Sequence, residues 1–256
     1  MRWRVILSLP LGGPDNMAMD DALMARARQS GESVLRVYSW AQPVLSLGRN
    51  QPARDIYDLG TLAASGIDVV RRPTGGRALL HHREITYSVT APVDPSLGLA
   101  ETCHQINLLL VRALGTLGIA AAIARPTSAA LQPSERPCFA EPAAGEIVVE
   151  GRKLVGSAQW RDDGALLQHG SVIVHDDQRR IPSLMRAPSQ ASPSPATMSE
   201  LLGRAVEPAE FAEVLFRMLR DTVDSSATSL SADEVQSLAT DTYVDRYRDP
   251  SWTWRR

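Results

Sequence analysis

The chain has 256 residues, which at roughly 150 residues per domain allows one large domain or a large one with a small appendage. Its 44% hydrophobic and 22% charged content excludes a disordered or fibrous chain, and 27 Lys+Arg against 29 Asp+Glu, a net charge of −2, argues against a generic nucleic-acid binder. Two cysteines cannot build a disulfide framework, and no apolar run reaches the roughly 18 residues of a membrane span.

The N-terminus, MRWRVILSLP, has a charged start but an apolar run cut short by Pro10, which makes a poor signal peptide. The expected setting is the cytoplasm, where thiols stay reduced. Residues 3–8 alternate as an opening strand, and Asp15 can cap a helix over about 16–29 with Met17, Leu23, Met24 and Ala27 facing inward. Val34–Trp40 and Val44–Leu47 read as strands joined by a short connection through Pro43. Asp55 can cap a further helix to about Ala64, ended by Gly66. Asp68–Arg72 and Glu84–Ala91 then read as strands around a glycine turn at Gly75-Gly76.

Leu99–Leu117 carries the strongest helical signal of the first half. Ile106, Leu109, Leu110, Ala113, Leu114 and Leu117 fall on one face, a packing stripe with Cys103 one turn before it. Residues 125–137 form a polar, proline-containing loop. Glu146–Glu150, Lys153–Trp160 and Ala165–Val174 follow as an antiparallel meander, turned at Glu150-Gly151 and Asp163-Gly164. An exposed Ser/Pro/Ala-rich linker is expected over about 187–197, with C-terminal helices over about 208–246. The first of these spans about 208–222 with Phe211, Val214, Leu215, Met218 and Leu219 inward; the second opens at the capping box Ser231-Ala-Asp-Glu234. Strands and helices without regular βαβ alternation predict an α+β fold rather than a doubly wound sheet, in one domain over 1–256.

The densest candidate segment is Arg71-Arg72-Pro-Thr-Gly75-Gly76-Arg77, followed by Ala-Leu-Leu-His81-His82. Adjacent glycines let a backbone approach a ligand, and flanking arginines offer forks for phosphate or carboxylate. A plain glycine hairpin with solvated arginines explains the same residues, and no known phosphate-loop spacing is satisfied. His81-His82 does not read as a metal site, because neighbours on a strand point to opposite faces and His104, His169 and His175 are scattered. Cys138 follows the polar loop beside Arg136, where a cation would lower a thiol's pKa; an ordinary unreactive thiol is the bland reading. Lys153 opens the middle strand of the meander, and Gly170 after Gln168-His169 suggests a close backbone approach. The residues alone thus reach a cytosolic α+β enzyme with a possible anion-binding glycine turn.

Ordered motifs add more. Asn16-Met-Ala-Met-Asp20, Leu45-Ser-Leu-Gly48-Arg49-Asn-Gln51, the glycine segment Arg71–His81, Gly151-Arg-Lys153-Leu-Val-Gly156-Ser157-Ala158-Gln159, Leu167-Gln-His169-Gly170-Ser171 and Asp249-Pro-Ser-Trp252-Thr-Trp254 run collinearly through the chain. In this order they resemble the lipoate/octanoate attachment family, the lipoate–protein ligases and octanoyltransferases related to biotin protein ligases. The resemblance implies a mixed, largely antiparallel sheet flanked by helices. Cys138-Phe139 ahead of Lys153, Arg77 after the glycine pair where ATP-using ligases more often have a third glycine, and the short tail after Trp254 favour the cysteine-dependent octanoyltransferase branch. His82 departs from the family, which usually has Asp there.

That branch implies octanoyl transfer from octanoyl-acyl carrier protein to a lysine of a lipoyl domain, either glycine cleavage H protein or a 2-oxoacid dehydrogenase E2. Cys138 would be the nucleophile and Lys153 the cation at the acyl carbonyl. Arg72, Gly75, Gly76, Arg77, His81, Gly156, Ser157, Ala158, His169 and Gly170 would bind substrate. Neither metal, cofactor, nucleic acid nor membrane is implied. Three alternatives stand beside it: an ATP- and Mg-dependent ligase in which Lys153 binds an adenylate, a cysteine enzyme moving octanoyl between lipoyl-bearing proteins, and a non-catalytic carrier-binding relative.

Overall fold

The computed structural model describes residues 2–124, 145–187 and 193–256. In chain order the elements are β1 (Arg2–Leu7), α1 (Gly13–Ser30), β2 (Glu32–Tyr38), β3 (Val44–Leu47), α2 (Leu59–Ala64), β4 (Asp68–Arg71), β5 (Leu79–His81) and β6 (Glu84–Pro92). They continue with α3 (Leu99–Thr116), β7 (Ala122–Ile123), β8 (Ile147–Val149), β9 (Arg152–Asp162) and β10 (Ala165–Ile173). A 3-10 turn over Gln178–Leu184 leads to α4 (Met198–Leu202), α5 (Pro208–Thr222), β11 (Thr228–Ser229), α6 (Ala232–Gln236), α7 (Asp241–Arg248) and α8 (Pro250–Thr253).

The main sheet runs β11-β1-β2-β6-β10-β9-β8-β7, and a second sheet runs β4-β3-β5. Among the described strands β11-β1, β1-β2 and β3-β4 pair in parallel and the other neighbours are antiparallel. The central strands β6 and β10 are buried on both faces, and the alternation of side chains sorts their residues. Ile85, Tyr87 and Val89 join Ile106, Leu110 and Ala113 of α3 and Phe211 and Leu215 of α5 in the largest core. The intervening Thr86, Ser88 and Thr90 are polar, buried and turned toward α1. That explains why α1 has no clean apolar stripe: it buries Asn16, Asp20 and Asp21 along with Met17, Leu23, Met24 and Ala27.

The meander forms as the sequence predicts. Both turns place two successive residues at positive φ, Glu150 (50°) with Gly151 (76°) and Asp163 (44°) with Gly164 (75°). This is the turn geometry whose twist matches paired antiparallel strands. The capping box also forms, with Glu234 N–H donating to Ser231 Oγ and Ser231 N–H to Glu234 Oε2.

Val34–Trp40 and Val44–Leu47 form two strands joined by a short connection through Pro43, as expected, with β2 in the main sheet and β3 in the small one. Three expectations are corrected. The second helix is capped by Asp58, whose carboxylate accepts from Thr61 N–H at 2.7 Å, because Asp55 sits at φ 64° outside the helix. The exposed linker over 187–197 is exposed at 187, 193 and 194 but buried at 195–197, where Ala196 N–H donates to Lys153 O and Thr197 caps α4. Beyond α5, three short helices replace the single expected one, since α6 buries none of its residues and ends after five.

Candidate active site

The glycine segment is folded by its own arginines. Arg72 Nε and Nη2 donate to Gly75 O, Nη2 also to Arg77 O, and Nη1 to the carbonyl and hydroxyl of Ser46. Arg71, wholly buried, donates from Nη1 to Gly48 O at 2.6 Å and Gln51 O at 2.8 Å, and from Nε to Thr253 O at 2.8 Å. Arg72, expected among the substrate-binding residues, also shapes the turn that Gly75 and Gly76 form. Gly76 has φ 94°, which favours glycine. A Cβ on Gly48 would lie 1.9 Å from Gly76 O, so β3 and the turn touch backbone to backbone; Gly75 faces open space.

His81, at the end of β5, stacks on Trp40 with ring centroids 3.9 Å apart. Its Nε2 lies 2.8 Å from Ser46 Oγ and its Nδ1 bonds Glu84. His82, where the family usually has Asp, turns outward with Nδ1 3.3 Å from Asp177 Oδ2, a carboxylate that Arg83 also holds.

His169 ties the turn to the core. Burial pushes its imidazole below the ordinary pKa, a shift the Asp20 hydrogen bond only partly opposes, so the ring is neutral. Nδ1–H then donates to Asp20 Oδ2 at 3.0 Å, and Thr74 Oγ1–H donates to Nε2 at 2.7 Å. Asp20 also accepts from Arg36 Nη1 at 2.9 Å and Ser88 Oγ at 2.8 Å. Burial raises the Asp20 carboxyl, but the His169 hydrogen bond and the Arg36 charge outweigh it and leave the group below its ordinary value. The unfolded chain binds a proton at His169 that the folded chain refuses, so stability falls as pH drops below about 6.5, by up to about 1.4 kcal/mol per pH unit. His169→Gln is expected to flatten the pH dependence of urea unfolding between about pH 6.5 and 5. An unchanged slope would mean that the imidazole carries its proton in the fold.

The other half of the site lies on the α3 side of the sheet. Gln168, next to His169, points the opposite way and donates to Tyr87 OH at 2.8 Å and Asn107 Oδ1 at 3.1 Å. Tyr87 OH shares a hydrogen bond with Ser157 Oγ at 2.7 Å. Asn107 Nδ2 donates to Gly145 O at 2.5 Å, and beyond it Lys153 Nζ meets Glu146 Oε1 at 2.6 Å. The Lys153 side chain is 1% exposed. Cys103 also sits here, with Asn107 Nδ2 3.6 Å from its sulfur. Burial pushes the Cys103 thiol up, and the Glu146 charge pushes the same way, so it stays protonated near neutral pH. Gly170 is the close approach anticipated from sequence, because a Cβ there would meet Gly156 O at 2.5 Å and Ser157 Oγ at 2.7 Å.

The expected site residues therefore form two groups. Arg72, Gly75, Gly76, Arg77, His81 and His169 belong to the turn and its α1-side support, while Lys153, Gly156, Ser157 and Gly170 belong to the α3 side. Ala158 pairs with His169 across β9 and β10. Cys138 lies outside the described residues. Sequence reasoning missed Glu146 as the partner of Lys153, Asp20 and Thr74 as the partners of His169, and the Asn107–Gln168–Tyr87 line. A polar Asn inside the apolar stripe of α3 was the signal for the last. Among the described residues no group of three His, Cys, Asp or Glu side chains is placed to hold a metal ion, and no helix is long and apolar enough to cross a membrane.

Three kinds of likeness meet on this geometry. Residues 13–220 match the family model of the lipoyl protein ligase A/B catalytic domain. The chain is 43% identical over 196 residues to the octanoyltransferase LipM of Kyrpidia tusciae, covering 73% of this chain and 71% of that one. It is 34% identical over 271 aligned positions to the octanoyltransferase LipM of Symbiobacterium thermophilum, covering 99% and 98%. The fold resembles a lipoate-protein ligase A bound with ATP, with TM-score 0.79, 22% identity and 99% of each chain covered. It also resembles a bi-partite lipoate protein ligase of Thermoplasma acidophilum, with TM-score 0.75, 21% identity and 99% and 96% covered.

Proposed function

Because the chain belongs to the lipoyl protein ligase A/B catalytic-domain family, we propose that it is an octanoyltransferase of protein lipoylation, taking octanoyl from octanoyl-acyl carrier protein to a lysine of a lipoyl domain. The observation that carries this reading is the 34% identity, across 99% of the chain, to an octanoyltransferase. Glycine cleavage H protein and 2-oxoacid dehydrogenase E2 are the acceptors the chemistry suits.

In the first half-reaction the Cys138 thiolate adds to the thioester carbonyl. The tetrahedral intermediate collapses, expelling the carrier thiolate and leaving an octanoyl-S-Cys138 thioester of similar energy. In the second, a neutral lysine amine of the acceptor attacks that carbonyl, loses its proton, and expels the Cys138 thiolate as the amide forms. No ATP enters, because the acyl group arrives activated. Lys153 supplies a fixed cation for the developing oxyanion, the kind of preorganised donor that counts most in a buried site. Cys138 is favoured over Cys103 as nucleophile on physical grounds, since a thiol kept protonated by burial is a weak one.

Incubation with octanoyl-acyl carrier protein, without ATP, followed by intact-mass measurement tests the proposal. A hydroxylamine-labile octanoyl adduct is expected in wild type and Cys103→Ala and absent in Cys138→Ala. No adduct, with modification of a lipoyl domain only when lipoate, ATP and Mg²⁺ are added, would make the protein a ligase.

A further inference from the structure

Behind the glycine turn, the C-terminal segment builds a concentration of positive charge that octanoyl transfer to a lysine does not itself require. Arg255 lies over the Trp252 ring with its guanidinium carbon 3.9 Å from the centroid, and Arg49 lies over the same ring at 5.9 Å and over Trp160 at 4.5 Å. Arg255 Nη2 donates to Arg49 O at 2.6 Å, which ties the Arg255 guanidinium to the Arg49 main chain. Trp252 is anchored in turn, its Nε1–H donating to Arg71 O at 2.8 Å. Arg256 adds its charge beside Arg255.

Neither Arg49, Arg255 nor Arg256 has an acidic partner among the described residues, whereas the neighbouring Arg246 is satisfied by Asp21 at 3.5 Å. Two buried donors of this cluster, Arg255 Nε and Arg71 Nη2, have no acceptor among the described residues. The charges also oppose one another: burial and then Arg255 and Arg256 hold Arg71 down at about 10, and burial with Arg49 and Arg256 lowers Arg255. Stacking on tryptophan and mutual repulsion, with no Asp or Glu partner among the described residues, is the arrangement of a site for a compact, multi-oxygen anion.

Its position says which anion. Arg49 N–H donates to Thr74 O at 2.8 Å and Arg49 Nη1 reaches Pro73 O, so the cluster adjoins the glycine turn. Of the two substrates, the acceptor brings a lysine ammonium, which three arginines repel. The donor brings its acyl group on an arm anchored through a phosphodiester.

We propose that Arg49 and Arg255, held on Trp252, together with Arg256 beside them, receive the phosphodiester at the base of the donor's acyl-carrying arm. The proposal rests on the octanoyl-transfer reading for the identity of the donor, and on the cluster alone for the anion.

The test compares octanoyl-phosphopantetheine with octanoyl-pantetheine, which lacks the phosphate, in wild type and in Arg255→Gln/Arg256→Gln. The variant is expected to lose about 10- to 50-fold in kcat/KM with the phosphate-bearing donor, carried by KM, and less than about twofold with the other. In wild type, raising salt should weaken only the phosphate-bearing donor, a comparison that requires no variant. Equal losses with both donors, no loss, or loss confined to the intact carrier protein would each overturn the assignment. Calorimetric titration of phosphopantetheine against pantetheine reads the site without turnover. Preferential binding of the phosphate form by a protein that transfers no octanoyl would refute the function and keep the site; equal or absent binding refutes the site.

Discussion

Lys153→Met is expected to slow octanoyl-enzyme formation by about 10²- to 10³-fold, the range seen when one preorganised oxyanion donor is removed. The Lys153 ammonium is almost wholly buried and fixed by Glu146 at 2.6 Å, so no mobile surface lysine stands ready to replace it. The single substitution leaves the Glu146 carboxylate without that cation, and removing one member of a buried pair costs about 3–5 kcal/mol. Loss of activity alone would therefore be ambiguous. The double variant Lys153→Met/Glu146→Gln separates the two effects, since a neutral pair of similar volume restores most of the stability while the oxyanion donor stays absent. The expected outcome is a melting temperature near wild type and a rate as low as that of the single variant. Recovery of rate together with stability would show that Lys153 serves the fold and not the reaction.

Gly48→Ala is the second large expectation. Its Cβ would sit 1.9 Å from Gly76 O and 2.8 Å from Gly76 C, and a main-chain atom cannot swing aside as a side chain can. Either β3 or the glycine turn must move, at a cost of about 3 kcal/mol, the upper part of the range for overpacked sites. Gly75→Ala provides the contrast, because nothing lies within 4 Å of its added methyl and its φ is not in the left-handed region. Its stability should change by less than about 0.5 kcal/mol, as for unobstructed surface positions. Urea unfolding should thus separate the two variants clearly. An activity loss in Gly75→Ala at unchanged stability would report space that the substrate occupies, and wild-type activity there would place the acyl group elsewhere.

The parts of the fold that could be read from sequence are those fixed by short-range periodicity. The stripes of α3 and α5, the meander with its two glycine turns, and the capping box of α6 all depend on residues three to ten positions apart. What could not be read depends on distant pairing. Nothing local in Val34–Trp40 or Val44–Leu47 says that the two strands belong to different sheets, and β5, β7 and β11 are only two or three residues long. The site divides the same way. Gly170 and Lys153 stand out against their own strands. The partners of His169 lie 149 residues away at Asp20 and 95 away at Thr74, and Asn107 lies 61 from Gln168. These are single polar residues in apolar or glycine-rich surroundings, and their meaning comes only from what the sheet places opposite them. Cys138, the nucleophile suggested by motif, lies outside the described residues, so its assignment rests on sequence and on the chemistry of Cys103.

The Arg71 contact with Thr253 gives the glycine turn a schedule. The two residues are 182 positions apart, and Thr253 O is the acceptor for Arg71 Nε. At about 5–20 residues per second, a ribosome takes roughly 10–40 s to go from one to the other. From residue 153 onward in that interval the nascent chain contains Lys153 but still lacks the segment that braces the turn from behind. The brace behind the glycine turn therefore closes only in a nearly complete chain, late in synthesis.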